Sequence, residues 1–524
     1  MGETLQRLCW LIPLAPWLAA LWIGVGYGVG RSRGEAGEKT TARAALGGMG
    51  ASLLLLLALD LQAWMTGAPP GEVDFHAWLE SGPLRIGFTF TLDRLALAMA
   101  TLSATISLLT TRFSVHYLHR EEGFQRFFAI LSLFNGALLL LFLSGNAVLA
   151  FAAWEVMGVS SWLLIGYAFD RPVATTNAVR AFVANRFGDA GFLVGVALSV
   201  HWLGTVEWKA LLSSAERLDT MQSGLIAGGL LLAALAKSGQ FPFAAWIARA
   251  LEGPTPSSAI FYGSMMVHAG VFLTLRLEPL ILHAPLMMAL LFLMGGLTVG
   301  YALVCGWVQS DVKSLLLFST QLQVGLMFMA CGLGWFELAG WHLALHALWR
   351  SWQFLTSPEF MHGMVRPAWK PPGWVQGQTR LHAAALQRFW LEPMADALLV
   401  RPTESLGRDA QSFDDRLVNR MVGLPGTAGA VASLADWEER TEGGEESWDV
   451  SAAAAGGRGV MGRLLERISH ALHWFEERLV LRGGGEGLLS ALHRVGVYFL
   501  LADRLLSRPR YLMVFIAVTF IVIL

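Results

Sequence analysis

Two ionisable side chains stand inside strongly apolar stretches of this 524-residue sequence. Glu155 lies in NAVLAFAAWEVMGVSSWLLIGY and Lys237 lies in GLIAGGLLLAALAKSGQFPFAAWI, and neither stretch holds another charge. An ionised group at membrane mid-depth costs at least a few kcal/mol, so each of these residues requires a reason. A carboxylate fixed by a helix-packing hydrogen bond would be one reason. We favour another, in which an acid and a base held away from water exchange a proton during ion translocation.

The residues after Lys237 predict that its helix is interrupted. Gly239 and Pro242 follow within five positions, and proline removes a backbone donor from a helix. Broken helices at membrane mid-depth mark ion sites, because freed carbonyl groups and helix ends can hold charge. A lysine that reaches to the membrane surface is the alternative, but the central position of Lys237 in its stretch argues against it.

Arg186 and Asp189 are three residues apart in VRAFVANRFGDAGFLVG and therefore share one helix face. They are either a local ion pair near the end of a span or a pair that tunes a neighbouring ion path. The sequence favours neither interpretation over the other.

A third set of polar residues follows a four-residue spacing in WHLALHALWRSWQFL, where His342, His346 and Arg350 share a helix face over two turns. Imidazoles can pass protons, whereas the Arg350 guanidinium supplies a fixed positive charge. A metal site would need a further ligand at a recognisable spacing, and the sequence offers none. We therefore expect no metal and no cofactor in this chain. We interpret His268, alone in an apolar stretch, as a packing residue.

The composition predicts the elements that must position these residues. Hydrophobic residues make up 55% of the chain and charged residues 15%, against about 25% charged in an ordinary soluble domain. A soluble enzyme is thereby excluded, and a net charge of −1 gives no basic excess for nucleic acid. We predict an all-α polytopic membrane protein of eleven to twelve transmembrane helices. The predicted spans lie near residues 7–29, 44–66, 90–111, 127–144, 146–168, 177–203, 224–247, 257–282, 285–306, 311–333 and 335–356.

The loops between these spans predict the orientation of the chain. Alternate loops hold most of the Lys and Arg residues, so these loops should face the cytoplasm. We expect a multi-pass protein of the bacterial inner membrane with its N-terminus outside.

The composition becomes polar after the last predicted span. We expect a transmembrane domain over 1–356, a cytoplasmic or peripheral tail over 357–510 with a helical pattern at 381–400, and a flexible linker at 423–458. An amphipathic helix should follow within 459–506. The apolar residues 511–524 should form a C-terminal membrane anchor, although 14 residues make only about 21 Å of helix.

Long motifs fill the stretch from residue 88 to residue 355. They resemble the proton-conducting subunits of respiratory complex I and of Mrp-type antiporters, particularly the L-type subunit. The tail segment LEPMADALLVRPTESL (391–406) is similar to the start of that subunit's lateral helix. The motifs are REEGFQRFFAILSLF (120–134), WEVMGVSSWLLIGY (154–167), AFVANRFGDAGF (181–192), KSGQFPFAAWIARALEGPTPSSAI (237–260), SDVKSLLLFSTQLQVGLMF (310–328) and HLALHALWRSWQFL (342–355).

The resemblance implies three functional pairs: a coupled acid and base, an ion pair that modulates the entry path, and a central relay. These are Glu155 with Lys237, Asp189 with Arg186, and His342 with His346. Two positions depart from the family, which usually has a histidine where this chain has Tyr262 and a lysine where it has Arg350. We also identify no counterpart of the family's later helices after residue 356, so we expect the second half of the path to be shortened.

These departures make the DabB family, the membrane subunits of DAB-type inorganic-carbon pumps, the best resemblance. It implies a cytoplasmic DabA-like zinc protein, similar to carbonic anhydrases, as the partner. Cation flow, with H⁺ favoured, would then drive conversion of CO2 to bicarbonate at the partner's zinc. This chain would be a transporter subunit and not an enzyme. Two alternatives stay open: an L-type subunit of a complex I-like NADH:quinone oxidoreductase or Mrp antiporter, and a non-conducting anchor for a soluble enzyme.

Overall fold

The computed structural model describes residues 2–30, 32–82, 84–357 and 372–413. Eleven long helices, numbered α1 to α11, follow one another in this part of the chain, and they correspond one to one with the predicted spans. Ten are long and apolar enough to cross a membrane, and only α11 falls outside that group. The predicted all-α polytopic fold is therefore confirmed. The helices are Leu11–Gly28, Gly34–Thr66, Arg94–Tyr117, Phe124–Leu143, Ala147–Ile165, Pro172–Leu203, Thr220–Lys237, Thr255–Arg276, Pro285–Trp307, Val312–Gly332 and Phe336–Leu355.

A β-hairpin between α2 and α3 was not predicted. Strand β1 (Gly71–Ser81) pairs antiparallel with β2 (Leu84–Leu92). Residues of β1 alternate between half-buried and exposed, which is the period-two pattern of a strand with one covered face. A search for apolar stretches of membrane-spanning length passes over such short elements. The Glu207 carboxylate holds the hairpin, since it accepts from the Gly87 backbone N–H at 2.9 Å.

Helices α6 and α7 approach each other through glycines. A Cβ atom at Gly191 would lie 2.7 Å from the carbonyl oxygen of Gly229, and one at Gly188 would lie 2.5 Å from the Ala236 Cβ. Side chains at these positions would push the two backbones apart. The close contact brings Asp189 on α6 within electrostatic reach of Lys237 on α7.

The predicted span at 224–247 is two separate pieces in the structure. Helix α7 ends at Lys237, and a short helix, Ala245–Arg249, follows the break. Gly239 lies between them with φ +55°, a conformation that favours glycine. Lys237 therefore lies at a helix end and not in the middle of a continuous helix.

The next helix, α8, is also irregular. It consists of a first turn (Thr255–Ser258), a π-helical stretch (Ala259–Ser264) and an α-helical end (Ala269–Arg276). Single π-turns inside α-helices are frequent at functional sites. The π-helical stretch of α8 contains Tyr262.

The first compact unit extends to Thr403, so it includes the first tail helices as well as the predicted transmembrane domain 1–356. The predicted helical pattern at 381–400 is divided among short helices. The tail helices are Gly373–Gln376, Thr379–Leu386, Leu391–Ala395, the π-turn Asp396–Val400, and Arg401–Phe413. The predicted linker at 423–458, the amphipathic helix within 459–506 and the anchor at 511–524 lie outside the described residues.

Candidate functional site

Four ionisable side chains meet where α5, α6 and α7 come together. The Arg186 guanidinium forms an ion pair with Glu155, and its Nη2 also lies 2.7 Å from Asp189 Oδ2. Arg186 thus forms an ion pair with each of the two carboxylates, donating a hydrogen bond to Glu155 while its contact with Asp189 is electrostatic only. Glu155 and Lys237, expected to act as a coupled pair, lie in the same cluster and interact electrostatically, and Arg186 forms the ion pair with Glu155.

The four charges differ in their access to solvent. The side chains of Arg186 and Glu155 are 29% and 24% exposed, whereas that of Asp189 is 5% exposed. Lys237 is 1% exposed. The cluster therefore has an outer pair that is partly exposed at the protein surface and an inner pair that is buried.

The Lys237 ammonium lies on an aromatic face and beside a glycine. Its Nζ is 5.1 Å from the centre of the Trp154 ring, and a Cβ at Gly158 would lie 3.3 Å from it. Nζ has no hydrogen-bond partner among the residues that the structure describes. Burial disfavours the charged form of an amine while nearby carboxylates favour it, so the protonation of Lys237 depends on the charges of its neighbours.

Gln321 on α10 stabilises the break after Lys237. Its Nε2 donates to the carbonyl oxygens of Gly239 at 3.0 Å and Ala244 at 3.1 Å. A helix break leaves backbone carbonyls without their usual donors, and Gln321 supplies these. The sequence contains QLQVG in an otherwise apolar helix, and this buried amide was the signal that could have identified the residue.

A second polar cluster lies between α8 and α11. His268 Nε2 and His346 Nδ1 are 2.9 Å apart, and Arg350 Nε lies 3.4 Å from His346 Nε2. His268 is therefore not alone: it is buried and has a histidine partner, a contact that the interpretation as a packing residue did not foresee. Its partner lies 78 positions away in the chain, so no local pattern could have revealed the contact.

The other predicted members of this cluster have their own partners. His342 Nε2 lies 2.8 Å from Gln323 Oε1, and Arg350 Nη2 donates to Ser319 Oγ at 2.7 Å. The His342 and His346 rings are 6.1 Å apart, measured between their centres. The predicted line of two histidines and an arginine is thus present on α11, and α10 supplies polar partners for it.

Buried polar atoms without hydrogen-bond partners accompany both clusters in the described part of the chain. They include Ser238 Oγ beside Lys237, Tyr262 Oη on α8, and His268 Nδ1. Ser238 and Tyr262 line one narrow cavity with Thr320 and Gln321. The cavity has no room for a water molecule in this structure, so it is a narrow gap between the two clusters and not a water-filled path.

Acidic residues of the tail contact arginines near the helix break. Asp396 accepts from Arg180 Nε at 3.0 Å and from Arg180 Nη2 at 2.7 Å. Glu392 forms an ion pair with Arg249, at the end of the short helix that follows the break. These contacts attach the tail segment to the elements that hold Lys237.

No group of three His, Cys, Asp or Glu side chains is placed to hold a metal ion within residues 2–30, 32–82, 84–357 and 372–413. The three cysteines, Cys9, Cys305 and Cys331, are buried and unpaired. The site therefore consists of ionisable side chains and helix irregularities in a buried setting.

Two family models match the chain. Residues 144–368 match the family described as NADH:quinone oxidoreductase/Mrp antiporter, transmembrane. Residues 78–128 match the family described as the N-terminus of chain 5 of NADH-ubiquinone oxidoreductase (complex I). Together the two matches span more than half of the chain, and they contain all four residues of the first cluster.

Curated relatives show the same likeness. Subunit 5 of the chloroplast NAD(P)H-quinone oxidoreductase of Zygnema circumcarinatum is 33% identical over 369 residues, which cover 69% of this chain and 52% of the relative. The corresponding protein of Nephroselmis olivacea is 34% identical over 372 residues, covering 69% and 56%. This chain thus spans about half the length of the curated relatives it matches.

Solved structures share the fold. A chain of the Mrp complex from Dietzia sp. DQ12-45-1b superposes with a TM-score of 0.57 at 26% identity, covering 67% of this chain and 37% of that chain. A chain of the membrane-bound sulfane sulfur reductase, an archaeal respiratory membrane complex, superposes with a TM-score of 0.58, covering 67% and 70%. At 22% identity, the second likeness shows the fold alone.

Proposed function

Because this chain belongs to the antiporter-like membrane subunits of the complex I and Mrp type, we propose that it conducts a cation, with H⁺ favoured, through a membrane. We further propose that it does so as the L-type subunit of a complex I-like NADH:quinone oxidoreductase or of an Mrp-type cation/proton antiporter. The likeness to a chain of an Mrp complex and to subunit 5 of chloroplast oxidoreductases supports this assignment.

The buried cluster of Glu155, Arg186, Asp189 and Lys237 is the observation on which the proposal rests. Two acids and two bases are neutral together when all are charged, so a proton added at the outer pair changes the field at the inner pair. Arg186 connects the two carboxylates directly. In our proposal, protonation of Glu155 weakens its ion pair with Arg186. The guanidinium then turns toward Asp189 and displaces a proton from Lys237.

The proton released from Lys237 would pass to the histidine cluster. Ser238 and Tyr262 line the cavity next to the break, which has no room for water in this structure. The proposed transfer therefore requires that this region open and admit water that bridges Lys237 to the contacting His268 and His346 rings. We also retain the proposed orientation, with the arginine-rich loops in the cytoplasm and the N-terminus outside, in a bacterial inner membrane.

The test is the replacement Lys237→Ala, measured in membrane vesicles that contain the complete complex. Gradient-driven proton movement should fall to background, because the variant lacks the buried amine that takes up and releases the proton in this proposal. Lys209→Ala is the matched control, since the Lys209 side chain is 78% exposed and only 3.9 Å from Glu72 in a weak surface pair. Full transport in the Lys237 variant would instead support the non-conducting anchor.

A second candidate is the membrane subunit of an inorganic-carbon uptake complex, with a zinc-containing, DabA-like partner. The observation that favours it is the presence of Tyr262 and Arg350 at positions where the complex I-type subunits usually carry titratable histidine and lysine, with Arg350 in contact with His346. Tyr262 is fully buried, and Arg350 is 5% exposed. Purification from native membranes distinguishes the two: a zinc protein as the bound partner supports carbon uptake, while flavin and iron–sulfur proteins contradict it.

A further inference from the structure

Trp154 contacts both members of the inner charge pair. Its Nε1–H donates to Asp189 Oδ1 at 2.8 Å, and Lys237 Nζ lies over its ring at 5.1 Å from the centre. The side chain is completely buried. We propose that Trp154 is a positioning residue for ion translocation, one whose indole couples the charge of Asp189 to the charge of Lys237. The inference rests on the proposed conduction function and deepens it.

The two contacts use opposite electrostatic features of one indole group. The ring face is negative and attracts an ammonium, while the N–H edge is positive and donates to a carboxylate. A donor to an ionised carboxylate is polarised by it, and linked contacts in a low-dielectric site strengthen one another. An ionised Asp189 therefore strengthens the cation–π attraction between the Trp154 ring and a protonated Lys237. When Asp189 takes up a proton, that attraction weakens.

The surroundings explain why a connecting group is needed. Asp189 and Lys237 are in no direct salt bridge with each other, whereas Arg186 contacts Asp189 itself. Arg186 and Lys237 also converge on Gly158, where an added Cβ would lie 3.1 Å from Arg186 Nη2 and 3.3 Å from Lys237 Nζ. The Arg186 guanidinium and the Lys237 ammonium repel each other at this distance. The attraction of the Trp154 ring face for the ammonium offsets that repulsion.

Packing fixes the indole in this position. The Phe192 ring, on α6, lies 5.7 Å from the Trp154 ring between centres and is also completely buried. Because Phe192 is three residues after Asp189, one face of α6 supports both the ring and its hydrogen-bond acceptor. Trp154 thus changes position only if α6 moves relative to α5.

The first test compares Trp154→Phe, which keeps an aromatic face but removes the N–H, with Trp162→Phe in the same helix. Trp162 is 38% exposed and is the matched control. In vesicles with the complete complex, Trp154→Phe should lower proton transport about tenfold, as for loss of a hydrogen bond to a charged group. The midpoint of its pH profile should also be displaced, and Trp162→Phe should match the wild type.

A double-mutant cycle with Asp189→Asn distinguishes coupling from general damage. If Trp154 acts through Asp189, Trp154→Phe should cost little further transport in the Asp189→Asn background. An equal loss in both backgrounds, or a uniform loss at every pH without a displaced midpoint, would overturn the proposal.

Fluorinated tryptophan introduced at position 154 provides a variant that keeps the shape and the N–H. Transport should fall stepwise with each added fluorine, because fluorine withdraws charge from the ring face; no change would contradict the proposal. Lys237→Ala in the same assay distinguishes a failure of the proposed conduction function from a failure of the proposed role of Trp154. If it transports normally, the conduction function has failed. If it is inactive while the Trp154 variants are normal, only the role of Trp154 has failed.

Discussion

His268 Nε2 lies 2.9 Å from His346 Nδ1, and this contact joins α8 to α11 through two buried imidazoles. One nitrogen must donate and the other must accept, so a proton bound at one ring can pass to the other. We therefore propose that His268 belongs to the central relay, together with the predicted His342 and His346.

Replacing His268 by Ala should lower gradient-driven proton transport by about 100-fold, because proton transfer by a positioned group contributes on the order of 10²-fold or more. The measurement is proton uptake into vesicles with the complete complex. His283→Ala serves as the control, since this exposed histidine bonds only to the carbonyl of Pro279. Unchanged transport in His268→Ala would contradict a relay role for His268 and support its interpretation as a packing residue.

Gly191→Ala should destabilise the contact of α6 with α7, because the new Cβ would lie 2.7 Å from the rigid carbonyl of Gly229. We expect a loss of about 1–3 kcal/mol in the free energy of unfolding, as for overpacked interiors, and a lower unfolding temperature in detergent. Gly224→Ala is the control, since its nearest neighbour would be the Ala284 Cβ at 3.9 Å. Equal unfolding temperatures for the two variants would contradict the prediction.

Gln321→Leu removes the amide that donates to Gly239 and Ala244. Two buried carbonyls then lose their donor, and each unsatisfied group costs about 1–3 kcal/mol. The unfolding temperature and the transport rate should both fall, because the break also positions Lys237. Gln309→Leu is the control, because it removes a single hydrogen bond, from Gln309 to the Cys305 carbonyl at the end of α9. It should lower the unfolding temperature and the transport rate much less.

Glu392→Gln should loosen the tail segment from the helix break. Glu392 lies within 4 Å of Arg180, Arg249 and Arg388, so neutralising it leaves three guanidinium groups close together without their shared acid. Hydrogen exchange of residues 391–403 should become faster, and more so at low salt, where repulsion is less screened. Glu216→Gln, at an exposed position, is the control and should leave the hydrogen exchange of residues 391–403 unchanged. Unchanged exchange in Glu392→Gln would contradict the prediction.

The sequence alone was sufficient for the order of the eleven long helices and for picking out the charged residues of the first cluster. It predicted eleven to twelve membrane spans, and ten helices of the described residues are long and apolar enough to cross a membrane. A helix in a membrane satisfies its backbone hydrogen bonds within itself, so a long apolar stretch determines its own conformation. The same rule makes Glu155, Asp189 and Lys237 conspicuous, because burying a charge is costly wherever the helix later packs. The β-hairpin was missed since its strands, of 11 and 9 residues, are shorter than a membrane-spanning helix and their alternation is not a membrane-span pattern.

Partnerships between side chains were decided only by the tertiary structure. The sequence indicated that Glu155 and Lys237 share a site. Helix packing determines their direct contacts: Glu155 forms an ion pair with Arg186, and the Lys237 ammonium lies over the Trp154 ring. His268 meets His346, and Gln321 reaches the break after Lys237, from helices far along the chain. Such contacts depend on how α5 to α11 dock against one another, and docking is set by the combined shape of whole helix surfaces. Local spacing reports which face a residue occupies, whereas the identity of the residue on the opposite helix follows from packing.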